Sequence, residues 1–379
     1  MKKILLCGPR SKNFITGVSL AFDLLIMGLS QRNIPFEVID IVKFGKTKKS
    51  GAFNLFKSLS SGYCILLGCY KIVFCQIYYS TMSTSQLGFI RDFLMVSISR
   101  IMNRKIILHL HGGGFEDFYL ESPNFLKQFI RLNLANTDKI IVLGELLKDQ
   151  FYCAGDSVKE KLVVVENGLT LGVIEPPMSV KNIRSPRVKE LLYLSSMMES
   201  KGFIDVIKAV KFLKEEGLAD IHLNLCGAFH DAKTESDNMI KSEKDLLSYL
   251  KSNNLERVVT YHGEILGDLK TEQLKNAHIF ILPTYYPWEG QPLSIIEAMA
   301  FATPVISTHH KGIPELISNG ETGYFVEARS PKSIVKSIRK ILSNSEEYER
   351  LSMNSRIMYE GSFKREVHLE KLIKVLYEN

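Results

Sequence analysis

Short apolar runs, each long enough for one strand, alternate with helical patterns along the first 170 residues, and the alternation restarts near residue 188. In the first half KKILLCG, PFEVIDI, KIVFCQIYY, RKIILHLHG, KIIVLG and KLVVVENG read as strands. Helical patterns lie at Val18 to Gln31 and near 86–102, 123–136 and 145–153. KELLYLSS, IHLNLCG, VVTYHG, HIFILP, PVIST and GYFVE continue the series in the second half, again with helices between them. Strands that are apolar throughout, separated by helices, predict parallel sheets covered on both faces. The stretch GVIEPPMSVKNIRSPRV, with Pro176, Pro177 and Pro186, has no apolar period and reads as a linker. A chain of 379 residues also exceeds one comfortable core. Two doubly wound α/β halves of similar size imply a cleft between them, because open parallel sheets bind ligands beyond the carboxyl ends of their strands.

Composition narrows the setting. Six cysteines without a C-x-x-C pair fit a reducing compartment, not a zinc site, and Cys7, Cys75 and Cys226 read as small core residues. No run approaches the roughly 18 apolar residues that span a bilayer. The opening KKILLCG soon meets Pro9, Arg10 and Lys12, unlike a secretory signal. Of the net charge of +7, residues 1–170 carry 21 Lys and Arg against 13 Asp and Glu, whereas the remainder carries 27 against 28. A basic first half beside a neutral second half suggests an anionic partner, with lipid headgroups one candidate. The cluster Lys43, Lys46, Lys48 and Lys49, followed by GAFNLFKSL, reads either as a membrane-facing loop and helix or as a solvated loop beside an ordinary packing helix. No nucleic-acid-binding motif is present.

The chemistry concentrates in PTYYPWEGQPLSIIEAMAFATPVISTHHKGIP. Glu289 falls in a Gly- and Pro-rich loop, and Glu297, eight positions on, falls in a helix predicted to open near Pro292 or Leu293. The free amides of that first turn form a seat for phosphate, with one carboxylate before it and one beyond it. Hydroxyl-rich groups on both sides of a phosphate describe a nucleotide sugar. A second phosphate contact is predicted at Lys201, in a loop that enters a helix near Gly202. His111, followed by three glycines, ends a strand, and His109 reads as a packed histidine. The loop before Val18 contains Gly17 but no G-x-G-x-x-G fingerprint.

This segment resembles the E-x7-E signature of retaining glycosyltransferases with the GT-B fold, especially glycosyltransferase family 4. The resemblance is best over residues 160–330 and loose over the first 100. It implies two Rossmann-like domains facing across a cleft, an acceptor-side domain over 1–173 and a nucleotide-sugar domain over 174–362. A terminal helix over 363–379 is expected to return to the first domain. It further implies that Lys201 binds the donor diphosphate, the amides of Gly290 and Gln291 face the donor sugar, and those of Leu293 and Ser294 face the diphosphate. Glu289 is implied for sugar hydroxyls, Glu297 for ribose hydroxyls, and His111 for a place near donor sugar and acceptor. Gly17 would approach donor phosphate and acceptor, and Asn167 with Gly168 match a turn at the start of the second domain and read as structural. Two departures stand out: Ser196 occupies a donor-side position where many members carry arginine, and Ala302 replaces a frequent glycine.

The expected function is retaining transfer of a sugar from a UDP- or GDP-linked donor to an acceptor hydroxyl on a glycan or lipid-linked acceptor, in surface-glycan assembly. The expected place is the cytoplasm, or the inner face of the cytoplasmic membrane by peripheral binding to anionic lipid. No nucleic acid and no cofactor beyond the donor are expected. No two aspartates are separated by one residue, so a DxD metal clamp is absent and metal-independent transfer is expected. Donor selectivity is placed in the loops around 228–235 and 285–291. The alternatives are a nucleotide-sugar-binding protein without turnover, or another GT-B reaction such as nucleotide-sugar epimerisation or phosphorolysis.

Overall fold

Every strand pairing among the described residues is parallel, and these strands form two six-stranded sheets. The computed structural model describes residues 1–13, 15–42, 55–169, 179–184, 188–218, 220–229 and 240–378, with only the backbone of 55–60. The basic cluster at Lys43, Lys46, Lys48 and Lys49, the linker prolines Pro176, Pro177 and Pro186, and loop residues 230–235 lie outside the described residues. The chain divides into two compact units, Met1–Leu171 with Arg365–Asn379 and Gly172–Lys364.

In the first unit the sheet comprises β1 (Ile4–Gly8), β2 (Phe36–Asp40), β3 (Ile77–Thr81), β4 (Lys105–His109), β5 (Lys139–Val142) and β6 (Leu162–Val164), ordered β2-β1-β3-β4-β5-β6. The two-residue period of a strand sends Ile4 and Leu6 to one face and Leu5 and Cys7 to the other. Both faces are buried. Ile4 and Leu6 pack with Phe22 and Leu25 of α1 (Gly17–Gln31) and with Leu372 and Leu376 of the terminal helix Arg365–Tyr377. Leu5 and Cys7 pack with Met95 and Val96 of α3 (Gln86–Ile101), next to α2 (Leu55–Ile72). The terminal helix is held further by Lys371 on Glu166 at 2.8 Å and by His368 Nδ1, 2.6 Å from the Glu166 carbonyl oxygen. Gly168 permits this contact, since a Cβ there would stand 2.8 Å from that of His368.

Three expectations need correction. In KIVFCQIYY, Lys71 and Ile72 still belong to α2 and the strand starts only at Ile77, because the buried Ile72 and Cys75 continue the apolar run through the intervening turn. The helix expected near 145–153 is two 3-10 segments, Glu145–Leu147 and Asp149–Ala154. The HGGGF turn leads straight into a short helix, α4 (Phe115–Glu121), ahead of α5 (Asn124–Ala135), and β4 stops at His109, two residues before His111.

The second unit contains β7 (Lys189–Leu194), α6 (Phe203–Glu215), β8 (Ile221–Cys226), α7 (Glu243–Ser252), β9 (Val259–Gly263), α8 (Gly267–Asn276), β10 (Ile279–Leu282), α9 (Leu293–Ala300), β11 (Val305–Thr308), β12 (Gly323–Val326), α10 (Pro331–Ser343) and α11 (Ser345–Ser362). Its order is β12-β11-β10-β7-β8-β9. The chain builds outward from β7 through β8 to β9, then returns to the other side of β7 for β10. Connections from β7 and β10 therefore leave in opposite directions and open a crevice at their carboxyl ends.

Candidate active site

Two loops meet at that reversal point. One follows β7 and contains Ser196, Ser200 and Lys201. The other follows β10 and runs from Pro283 to Pro292. The Tyr285 amide donates to the Ser200 carbonyl at 2.7 Å, which ties the loops together. Gly202 makes the approach sterically possible. It sits at φ +80°, and a Cβ there would lie 2.5 Å from the Pro283 carbonyl oxygen. Lys201 ends a 3-10 turn, with α6 starting directly beyond Gly202, as the sequence predicts.

The packing brings Lys201 and Glu289 into contact. Lys201 Nζ lies 2.7 Å from Glu289 Oε2, and the two side chains are 14% and 7% exposed. Thr284 Oγ1 donates to the same oxygen at 2.8 Å, and the ammonium stands 4.5 Å from the centre of the Tyr286 ring. The sequence predicts both charged residues at the site but assigns them to diphosphate and sugar separately. In this structure each holds the other. Both surrender water, so the contact is a charge-assisted hydrogen bond in a poorly solvated setting.

Helix α9 opens at Leu293 with Pro292 at its N-cap, also as predicted. No side chain caps it, so the amides of its first turn keep their capacity for an anion. Gly290 and Gln291 are buried just before the helix, and Leu293 and Ser294 are partly exposed. Glu297, in the middle of the helix, is 1% exposed. Its Oε1 accepts from Lys270 Nζ of α8 at 2.6 Å. Lys270 is absent from the sequence expectation.

Ser196 lies in the turn after β7, where its carbonyl accepts from the Tyr193 hydroxyl and the Met198 amide, each at 2.9 Å. A serine there supplies no cation. Among the described residues no group of three or more His, Cys, Asp and Glu is placed to hold a metal ion.

The remaining expected site residues belong to the first unit. Gly17 is exposed at the start of α1, where Thr16 and Ser19 form a reciprocal cap. His111 stacks on His109 with ring centres 3.9 Å apart, and the Tyr79 hydroxyl lies 2.7 Å from His109 Nδ1. Among the described residues, buried His111 Nε2 has no hydrogen-bond partner. Burial, with the nearby His368 adding to it, pushes the His111 imidazole down to about 3. The ring is therefore neutral at pH 7.

Residues 178–358 match the family model for glycosyl transferases group 1. This stretch is similar to the glycosyl transferases group 1 family. It holds Ser196, Lys201, Lys270, Glu289 and Glu297. Among curated relatives, a capsular polysaccharide biosynthesis glycosyltransferase of Staphylococcus aureus, CapM, is 26% identical over 267 residues, 68% of this chain and 65% of that protein. A putative colanic acid biosynthesis glycosyltransferase of Escherichia coli, WcaL, is 25% identical over 224 residues, 58% of this chain and 51% of its own. The chain thus spans less than two thirds of the length of either relative. Among solved structures, an Anabaena protein, HepE, in complex with UDP and glucose superposes with a TM-score of 0.70 at 15% identity, covering 99% of both chains. The fold is GT-B.

Proposed function

We propose that this chain is a retaining glycosyltransferase that moves a sugar from a UDP- or GDP-linked donor to an acceptor hydroxyl, without a metal ion, in assembly of a surface polysaccharide. One observation carries the reading. Lys201 and Glu289 are in contact at the strand-order reversal of the second unit, and Glu297 stands beyond the open N-terminus of α9. The capsular polysaccharide and colanic acid relatives support the pathway class, and the UDP-bound neighbour supports the donor class.

A donor diphosphate would compete with Glu289 for Lys201. Once released from the ammonium, Glu289 turns its lone pairs to the sugar hydroxyls. As the bond from C1 to the diphosphate breaks, charge grows on the departing oxygen. Lys201 and the amides of Leu293 and Ser294 meet that charge without reorganising. Acceptor oxygen bonds to C1 on the same face, and its proton leaves with the diphosphate. The amides of Gly290 and Gln291 orient the sugar, and Glu297 accepts from the ribose hydroxyls. His111, being neutral, serves as a hydrogen-bonding group for the sugar or acceptor, not as a cation, and Gly17 lets backbone approach a phosphate. At position 196 serine leaves Lys201 and the helix amides to carry the diphosphate.

The proposed location is the inner face of the cytoplasmic membrane, with the basic first half docked peripherally on anionic lipid. No helix of the described residues is long and apolar enough to cross a membrane. Co-sedimentation with anionic vesicles at low salt, lost at high salt, supports docking; failure to sediment with them removes it and favours a soluble acceptor. The donor reading is tested by a thermal-shift screen of UDP-, GDP-, ADP- and dTDP-sugars, since specific binding raises the melting temperature by mass action. A shift with no member of the screen refutes it. A shift without release of nucleoside diphosphate in the presence of acceptor favours the binding-protein alternative.

A further inference from the structure

Helix α8, with the sequence GDLKTEQLKN, is polar and mostly exposed, and its one buried residue is Leu274. Lys270 lies four positions before Leu274, on the same helical face. Anchoring of Leu274 in the core therefore aims Lys270 inward. Its side chain is only 15% exposed, and its ammonium reaches Glu297 Oε1 at 2.6 Å. Both signature carboxylates are thus held by a lysine from another element, Glu289 by Lys201 and Glu297 by Lys270.

The two pairs differ in what a ligand would do to them. A diphosphate carries negative charge and can replace Glu289 on Lys201. A ribose carries only neutral hydroxyls and cannot replace Glu297 on Lys270. The second pair persists when the first exchanges. An ionised carboxylate offers about four lone-pair sites on two oxygens, more than a single ammonium on Oε1 occupies. A buried pair of this kind adds little stability over apolar residues of similar volume. Fixing the carboxylate of Glu297 in a single orientation is a role that apolar residues cannot fill.

We propose that Lys270 is a positioning residue that sets selectivity for the ribose of the donor nucleotide, by pinning the Glu297 carboxylate against the side from which the diol donates. The proposal rests on the ribose seat at Glu297. It adds a residue 27 positions away, on a different helix, to the recognition of the nucleotide.

Calorimetric titration with UDP and GDP, and with their 2′-deoxy counterparts, tests it on the parent, Lys270→Met, Lys270→Gln, Lys270→Arg and Glu297→Gln, with melting temperatures measured alongside. For the tighter-binding nucleotide, Lys270→Met is expected to weaken the ribo form about tenfold, the scale of a lost charge-assisted contact. The deoxy form should change much less, so discrimination between the two narrows. Lys270→Arg should restore both affinity and discrimination, and Lys270→Gln, which keeps a donor, should fall between. If Lys270→Met does not fold, Lys270→Gln and Lys270→Arg decide by the same ratio of ribo to deoxy affinity. Equal losses for ribo and deoxy forms, or none for either, overturn the proposal. If Glu297→Gln also leaves affinity and discrimination unchanged, the ribose seat itself is wrong; if Glu297→Gln narrows discrimination while the Lys270 variants do not, only the role of Lys270 falls.

Discussion

Replacing Lys201 by methionine removes the ammonium and keeps most of the volume, leaving Glu289, 6% exposed, with its hydrogen bond from the Thr284 hydroxyl. Breaking one side of a fully buried ion pair costs about 3–5 kcal/mol. With Lys201 still 14% exposed, some water reaches the pair, and a loss of about 2–3 kcal/mol is expected. Glu289→Gln alone should cost about 1–2 kcal/mol, because the amide still accepts from Thr284. The double variant Lys201→Met/Glu289→Gln removes the stranded charge, so its loss should fall short of the sum by about 1–2 kcal/mol. Urea unfolding at pH 7 measures all four proteins. Additive losses within about 0.5 kcal/mol would refute the claim that the two charges share one poorly solvated site. The same Lys201→Met protein should lose affinity for UDP or GDP far more than for the free nucleoside. Equal losses would exclude a phosphate role.

Further outcomes follow from other parts of the structure. Gly202→Ala places a Cβ 2.5 Å from the Pro283 carbonyl oxygen at a φ of +80°; a loss of more than about 1 kcal/mol is expected on urea unfolding, and a neutral result contradicts the loop contact. The pKa values of His109, His111 and His368 are all lowered by burial in the first unit. Their contribution is complete above the unfolded value of about 6.5 and is lost as pH falls toward the folded values. His111, at about 3, alone removes about 2 kcal/mol between pH 6.5 and 5, and the other two act in the same direction. A flat stability profile from pH 7 to 5 contradicts their neutral burial. Transfer should survive EDTA; complete loss on chelation, restored by manganese or magnesium, overturns metal independence.

The sheets were legible because parallel strands buried on both faces are apolar throughout, as in KIILH and IFIL. The same rule misled at KIVFCQIYY, where a helix end, a turn and a strand are all apolar. The 3-10 segments after β5 were unreadable, since Leu147, Phe151 and Ala154 keep a spacing that an α-helix would also satisfy. At the site, Pro292 and Gly202 marked the two helix starts through their backbone preferences. Residue types at 201, 289 and 297 were visible, but their pairing was not. Lys201 and Glu289 are separated by 88 positions, and Lys270 and Glu297 by 27 across two helices. Such contacts come from the strand order, which no local spacing encodes. Thr284 carried one weak signal, its place just beyond the carboxyl end of β10.

Retention during sugar transfer is the central claim. Purified protein is to be incubated with the nucleotide sugar that most raises its melting temperature and with a glycan acceptor, and the anomeric configuration of the first-formed product read by proton NMR alongside release of nucleoside diphosphate. The account predicts a product with the donor's anomeric configuration and one nucleoside diphosphate released per bond formed, with Glu289→Gln and Lys201→Met both inactive. An inverted product, or full turnover by either variant, would contradict it.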